Sequence, residues 1–160
     1  VQGARIAVLG VTFKPNTDDM RDAPSLDIIP ALQEAGATVR AYDPAAMHEA
    51  RPLLPGVEWA DDAYAALEGA DALVILTEWN EFRALDLARV KAALRRPLVL
   101  DLRNVYRPQD MREAGFVYYS IGRAPVNGPP LRAPAPAAAA SPDAAVSGNG
   151  APGGAAVAAI

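Results

Sequence analysis

The 160-residue sequence contains no cysteine and a single histidine, His48. The first absence excludes disulfides, thiolate metal sites and a cysteine nucleophile carried by this chain. A lone histidine lacks the partner ligands of a metal site and reads as a surface residue. No run of about 18 apolar residues occurs, and the start has no basic-then-apolar leader, so neither membrane spanning nor secretion is supported. Positive charge is sparse: 15 Lys and Arg stand against 19 Asp and Glu, a net charge of −4, and the basic residues are scattered singly or in pairs such as Arg95-Arg96. That excludes the basic footprint of a nucleic-acid surface. The expectation is a cytoplasmic protein with no membrane contact and no DNA or RNA partner. Two phosphate cradles are also missing. The pattern GxxxxGK[ST] does not occur, and Gly10 does not begin a GxGxxG turn because the later glycines are absent, so NAD is not held there in the standard way.

What the sequence does have is core-forming material. At 51% hydrophobic and 21% charged residues it can pack one domain of ordinary size. It opens at Val1 and runs almost directly into a strand-like segment, which reads as the continuation of something upstream. Composition changes after Arg123. Residues 124–160 are Ala, Pro, Gly and Ser without an aromatic, and their only charges are Arg132 and Asp143. Such a stretch has too little large apolar surface to offset its ordering entropy and reads as a disordered low-complexity tail, with a docking arm as the functional alternative.

Residues 1–123 alternate short apolar runs with helix-like segments. That pattern implies an α/β fold, a doubly wound, Rossmann-like and mostly parallel sheet of about six strands. Strands are predicted at Arg5–Leu9, Thr38–Tyr42, Val57–Ala60, Ala72–Thr77, Pro97–Leu102 and Phe116–Ile121. Ala72–Thr77 is apolar throughout, as a strand buried on both faces must be. Helices are predicted at Ser25–Ala35 (kinked at Pro30, stopped by Gly36), Asp61–Glu68 (capped by Asp, closed by Gly69), Asp86–Leu94 and Pro108–Ala114. Ligands of such sheets bind beyond the carboxyl ends of the strands, so functional residues should directly follow strands.

The segment after the first strand, Gly10 to Ser25, is long and polar. Lys14 and Arg21 are interleaved with Asp18, Asp19 and Asp22, so the loop can fold on internal ion pairs while aiming a cation at an anion. Read by itself it is equally a surface loop with solvated charges. Asp101-Leu102-Arg103-Asn104 ends a later strand, where Arg103 could join Lys14 on a phosphate or pair structurally with Asp101 or Asp71. In Thr77–Phe82, Trp79 and Phe82 could stack on a base, with helix packing the more economical role. Asp43, at the end of the second strand, is placed like a ribose-gripping acid, but without the glycine turn an Asp-Pro turn accounts for it better. No Ser-His-Asp set is legible, and Asp62 of the acidic pair Asp61-Asp62 suits a helix cap. The residues alone give places to bind an anion and no catalytic machinery.

These segments, in this order and spacing, resemble the UDP-glucose/GDP-mannose dehydrogenase family. The resemblance is carried by the Thr-Phe-Lys-Pro-Asn-Thr-Asp-Asp-Met-Arg string within Gly10–Ser25, by Tyr42-Asp43-Pro44 and by Ala70 to Phe82. Asp101 to Asn104 and Ser120 to Arg123 complete it, and together they span residues 3 to 123 and leave the tail outside. It implies a carboxy-terminal nucleotide-sugar (UDP) binding domain at residues 1–123. It further implies a missing amino-terminal NAD-binding domain, a dimerisation helix, a homodimeric whole protein and NAD as cofactor, bound mainly by the missing domain. The family oxidises the sugar C6 alcohol to a carboxylate through a thiohemiacetal on a cysteine, which here must lie elsewhere. UDP-glucose is the substrate that the string around Phe13 and the Thr77–Phe82 segment favour, with GDP-mannose and UDP-N-acetylmannosamine as family alternatives. Residue by residue, Phe13, Lys14 and Arg103 match substrate contacts, and Arg21 matches a residue that reaches across the interface toward NAD. No catalytic residue is assigned. A stand-alone, non-catalytic nucleotide-binding module is the reading from another class. A domain separated from such neighbours exposes an apolar interface, so self-association or marginal stability is expected; a monodisperse, cooperatively melting monomer in sedimentation and calorimetry would contradict this.

Overall fold

Six short apolar runs become strands in the computed structural model, which describes residues 1–131. They are β1 (Arg5–Leu9), β2 (Thr38–Tyr42), β3 (Glu58–Trp59), β4 (Ala72–Ile75), β5 (Leu98–Asp101) and β6 (Val117–Ser120). They form one sheet in the order β3-β2-β1-β4-β5-β6, and every neighbouring pair is parallel. The expected doubly wound sheet is therefore present. All four residues of β4 are buried, as are the last four of β1, because helices cover both faces of the middle of the sheet.

The helices are α1 (Ser25–Glu34), α2 (Met47–Ala50), α3 (Ala63–Leu67), α4 (Asn80–Arg83), α5 (Leu87–Ala93) and α6 (Pro108–Glu113). Their ends follow from local chemistry. Asp62 accepts from the Ala65 amide, and Asp86 accepts from those of Ala88 and Arg89, so two of the orphan amino ends are capped by carboxylates. At the end of α1, Gly36 takes φ +89, its amide donates to Gln33 and the Ala37 amide to Leu32. This is the paired 5→2 and 6→1 closure that a left-handed glycine permits. Pro30 forgoes one backbone bond, yet α1 runs through it from Ser25 to Glu34. The four-residue helices α2 and α4 are too short to show the periodicity by which the others are legible.

Two cores result. Ile29 and Leu32 of α1, together with Ala46, Ala50 and Leu54 around α2, pack on Ile6, Val8, Val39 and Val74 on one face of the sheet. Leu67, Phe82, Val90 and Met111 pack on Leu9, Leu73, Ile75 and Val99 on the other. Among the described residues the first face has two covering helices, both on the β1–β3 side. Leu98, Leu102 and Val117 are left half-buried on the β5–β6 side, beside a groove of about 320 Å³ lined by Arg96, Pro97, Leu98, Val117 and Tyr119.

The chain does not leave the sheet at Ala124. Val126 is buried and pairs antiparallel with Tyr118, each amide donating to the other's carbonyl, and the Tyr119 hydroxyl donates to the Pro129 carbonyl. Asn127 adopts φ +53 and donates from its side chain to the Phe116 carbonyl. The start of the predicted tail is therefore ordered, and this return shields the open edge of β6. Residues 132–160, the remainder of the predicted tail, lie outside the described residues.

Gly10 closes β1 at φ +83, and a Cβ there would sit 2.5 Å from the Thr77 Cβ and 2.8 Å from the Thr77 amide nitrogen. Both the backbone conformation and the space require glycine. Gly10→Ala should lower unfolding stability by about 3 kcal/mol, summing overpacking and left-handed strain. Urea denaturation monitored by circular dichroism checks this.

Candidate functional site

In this strand order β1 and β4 are neighbours whose following segments depart to opposite faces, which is where doubly wound sheets bind ligands. Here the Thr77 hydroxyl donates to the Thr12 carbonyl at 2.7 Å and ties the segment after β1 to the end of β4, while the Gly10 amide donates to the Tyr42 carbonyl at 2.9 Å and extends the pairing of β1 with β2. Asp43, fully buried, accepts from the Val11 amide at 2.8 Å and from the Ala45 and Ala46 amides at 2.9 Å each, with the Thr12 hydroxyl at 3.5 Å. It is thus the Asp-Pro turn former of the sequence reading and also a clamp joining the segments after β1 and β2. Tyr42 beside it packs edge-on against Phe82; burial first, then the Glu81 carboxylate, pushes its hydroxyl up to about 12.

The loop between β1 and α1 folds on an internal ion pair, as its charge pattern suggests. Asp19 accepts from the Arg21 amide (2.9 Å), Nε (3.0 Å) and Nη2 (2.8 Å). The Phe13 amide donates to the Asp19 carbonyl, and the Asp19 amide to the Thr17 hydroxyl. Asn16 and Asp22 take left-handed conformations, which Asn and Asp tolerate best among side-chain-bearing residues, and Met20 is buried in the core as the loop's anchor. The outcome is a fixed loop with an outward surface. Phe13 is 48% exposed, and Lys14 is exposed with no carboxylate within ion-pairing distance among the described residues.

Arg103 lies in the segment after β5, and its structural partner is neither of the two acids weighed for it from sequence. Its guanidinium meets neither Asp101 nor Asp71 but Glu78, with Nε to Oε2 at 2.5 Å and Nη2 to Oε1 at 3.1 Å. Asp71 instead binds Arg95 and the Arg5 amide at the opposite edge. Asp101 is buried and takes the amides of Arg103 (3.2 Å) and Tyr106 (2.9 Å) and the Tyr118 hydroxyl (2.7 Å). It builds the turn from which Arg103 projects. Burial raises the Glu78 acid, but its hydrogen bond and Coulombic contact with Arg103 outweigh that and hold it below its ordinary value. Asn104, at φ +54, exchanges two hydrogen bonds with the Ile121 backbone and so fastens this turn to the end of β6.

The edge therefore collects Phe13, Lys14, Arg21 and Arg103, linked through the end of β4, where Thr77 holds the first loop and Glu78 the second. Phe82 is buried and packs against the core, as does Trp79, whose Nε1 is buried with no hydrogen-bond partner among the described residues. Arg123 donates to the Tyr106 carbonyl. His48 is exposed, and no group of three or more His, Asp or Glu suited to a metal occurs among the described residues. No helix there is long and apolar enough to cross a membrane. Sequence reasoning missed Thr77 and Glu78 as the residues that join the two loops. Their position directly after a buried strand was the available signal.

Residues 7–108 match the model of the UDP-glucose/GDP-mannose dehydrogenase family, UDP binding domain. The chain is 57% identical over 123 residues to a UDP-glucose 6-dehydrogenase of Rhizobium meliloti (strain 1021). It is 50% identical over 129 residues to UDP-glucose 6-dehydrogenase TuaD of Bacillus subtilis (strain 168). The matches take in 77% and 80% of this chain and 28% of each relative, so the chain spans a little over a quarter of their length. Among solved structures it resembles a UDP-glucose dehydrogenase of Pyrobaculum islandicum (TM-score 0.63, 33% identity, 78% of this chain and 26% of that one). It also resembles a UDP-D-ManNAc dehydrogenase of Pyrococcus horikoshii (TM-score 0.61, 32% identity, 76% and 26%).

The loop's ion pair is directly measurable. The Arg21 side-chain hydrogen bond, then its backbone one, lowers the Asp19 acid from 3.8 to about 2. A depressed acid favours the folded loop above its ordinary range and loses that effect as pH falls toward 2. Carboxyl NMR should give an Asp19 midpoint near 2 and, in Arg21→Ala, a midpoint back toward 3.8.

Proposed function

Since the chain belongs to the UDP-glucose/GDP-mannose dehydrogenase family, we propose that it is the substrate-binding part of an NAD-dependent, cytoplasmic UDP-glucose 6-dehydrogenase. The whole protein, a homodimer on this reading, converts UDP-glucose to UDP-glucuronate by two oxidations at C6. The local task of residues 1–131 is to hold the UDP portion so that C6 meets the reactive groups of the other domain. Fixing that geometry lowers the barrier through proximity and orientation, without acid-base work by this chain.

The observation that carries the reading is the placement of Lys14 and Arg103 on two loops flanking the end of β4. Lys14 is a mobile point charge and Arg103 a planar fork, a pair suited to the oxygens of a pyrophosphate. Phe13, half-exposed beside Lys14, offers an apolar face to the rest of the nucleotide-sugar. Asp18 and Asp19 shape the loop; a carboxylate turned toward a pyrophosphate would repel it.

The end of β1 does not fit a dinucleotide. Gly10 is pressed against Thr77, the later glycines are missing, and Asp43 is occupied by backbone amides. NAD on this reading is held by the missing domain, which supplies hydride acceptance, and no step of that transfer runs through this chain. Arg21 contributes a cation across the interface, and its side chain is 88% exposed in keeping with that role. With no cysteine in its 160 residues, the chain cannot form the family's covalent intermediate and alone is inactive as an oxidoreductase.

Calorimetric titration with UDP-glucose, GDP-mannose and NAD tests the proposal. UDP-glucose should bind selectively, and Lys14→Ala and Arg103→Ala should each weaken it roughly tenfold or more, the value of a charge-assisted hydrogen bond. Preference for GDP-mannose would reassign the substrate within the family. UDP-glucose binding indifferent to both substitutions would remove the phosphate site from this edge.

A further inference from the structure

Two arginines at this edge are gripped in the same manner. Glu78 takes Arg103, and Asp19 takes Arg21, each through Nε and Nη2. A guanidinium presents five N–H groups in one rigid plane. A side-on grip uses the Nε hydrogen and one Nη2 hydrogen, and leaves free the end formed by Nη1 and the outer Nη2 hydrogen. That end carries two parallel donors, the arrangement that fits two oxygens of one phosphate.

The pairs differ in what they do to the fold. Arg21 and Asp19 are two residues apart and shape one loop. Arg103 and Glu78 come from segments after different strands, and their side chains are 32% and 29% exposed, so solvent screens them less. The segments do not depend on this pair to meet. Arg83 donates to the Val105 carbonyl, the Tyr106 hydroxyl donates to the Phe82 carbonyl, and Asp101 holds the turn from below. The carboxylate of Glu78 thus adds orientation of a side chain to a platform already built.

We propose that Glu78 is a positioning residue for Arg103: it occupies the Nε/Nη2 edge and so turns the Nη1/Nη2 edge toward the pyrophosphate of a nucleoside diphosphate. The inference rests on the UDP-sugar reading and deepens it. A negative charge beside an anion site weakens binding by simple Coulomb repulsion, so its presence calls for a compensating gain. That gain is preorganisation: the guanidinium is ordered before the ligand arrives, and the entropy of ordering is not charged against binding. Removing the carboxylate therefore has two opposed consequences, and the proposal is that loss of orientation outweighs loss of repulsion.

Arginine side-chain NMR of the 160-residue chain with UDP as probe separates them. In the wild type, the Arg103 Nη signals should be resolved because rotation about Nε–Cζ is arrested, and UDP should shift them while leaving Nε nearly still. In Glu78→Gln, with cooperative unfolding retained, the Nη signals should merge and UDP should bind roughly tenfold more weakly despite the lost negative charge. Equal or tighter UDP binding in Glu78→Gln overturns the proposal. So do freely averaging Arg103 signals in the wild type, a readout that needs no variant. UDP shifting Lys14 while Arg103 averages freely sinks the positioning role alone. A locked Arg103 in a chain where UDP moves neither residue sinks the UDP reading and this inference with it.

Discussion

The carboxyl edge of the sheet is arranged around one close approach, the backbone of Gly10 against Thr77. With no side chain at Gly10 the chain leaving β1 can cross tightly over the end of β4, and the Thr77 hydroxyl then reaches the Thr12 carbonyl. Phe13 and Lys14 follow within two residues of that bond. The neighbouring residue, Glu78, grips Arg103 from the far side. Two loops separated by about ninety residues of chain are thereby referenced to the end of a single buried strand, and rigid elements hold a binding geometry better than loops alone.

The strand order is that of a dinucleotide-binding unit, yet Gly10 does not begin a glycine-rich turn and the Asp43 carboxylate is taken up by backbone amides. Where such a unit opens a crevice for a pyrophosphate between β1 and β4, here the Thr77 hydroxyl ties the segment after β1 to the end of β4, and on the proposed reading the cations that meet the anion, Lys14 and Arg103, stand on the flanking loops. The same winding supports either chemistry, depending on side chains at the strand ends, so the proposed function rests on the site and not on the fold.

Much of the sheet was legible from sequence because buried parallel strands read as continuous apolar runs, Ala72–Ile75 most plainly. Helices α1, α3, α5 and α6 were legible from spacing and caps. The four-residue α2 and α4 were not, since one turn has no period. At the site, the Arg21–Asp19 pair is local and its charge pattern suggested it. Neither acid weighed as a structural partner of Arg103, Asp101 or Asp71, is the observed one, because Glu78 is 25 residues away and becomes a neighbour only through the pairing of β4 with β5. The return of Val126 onto Tyr118 was hidden for a similar reason. A single valine among prolines and alanines gives no compositional sign of a strand, and its bonds depend on where β6 ends.

Asp43 carries a lesson about what this scaffold can become. Each of its oxygens is committed to the protein's own backbone, one to Ala45 and Ala46 and the other to Val11. An acid in that state cannot also grasp a ribose, so grafting a glycine-rich turn onto β1 would supply half of a cofactor site and leave the other half silent. Repurposing the domain for a dinucleotide would have to begin at the turn after β2, with a new set of acceptors for those amides. The group that holds the loop in place is thus the one an engineered alternative would first have to free.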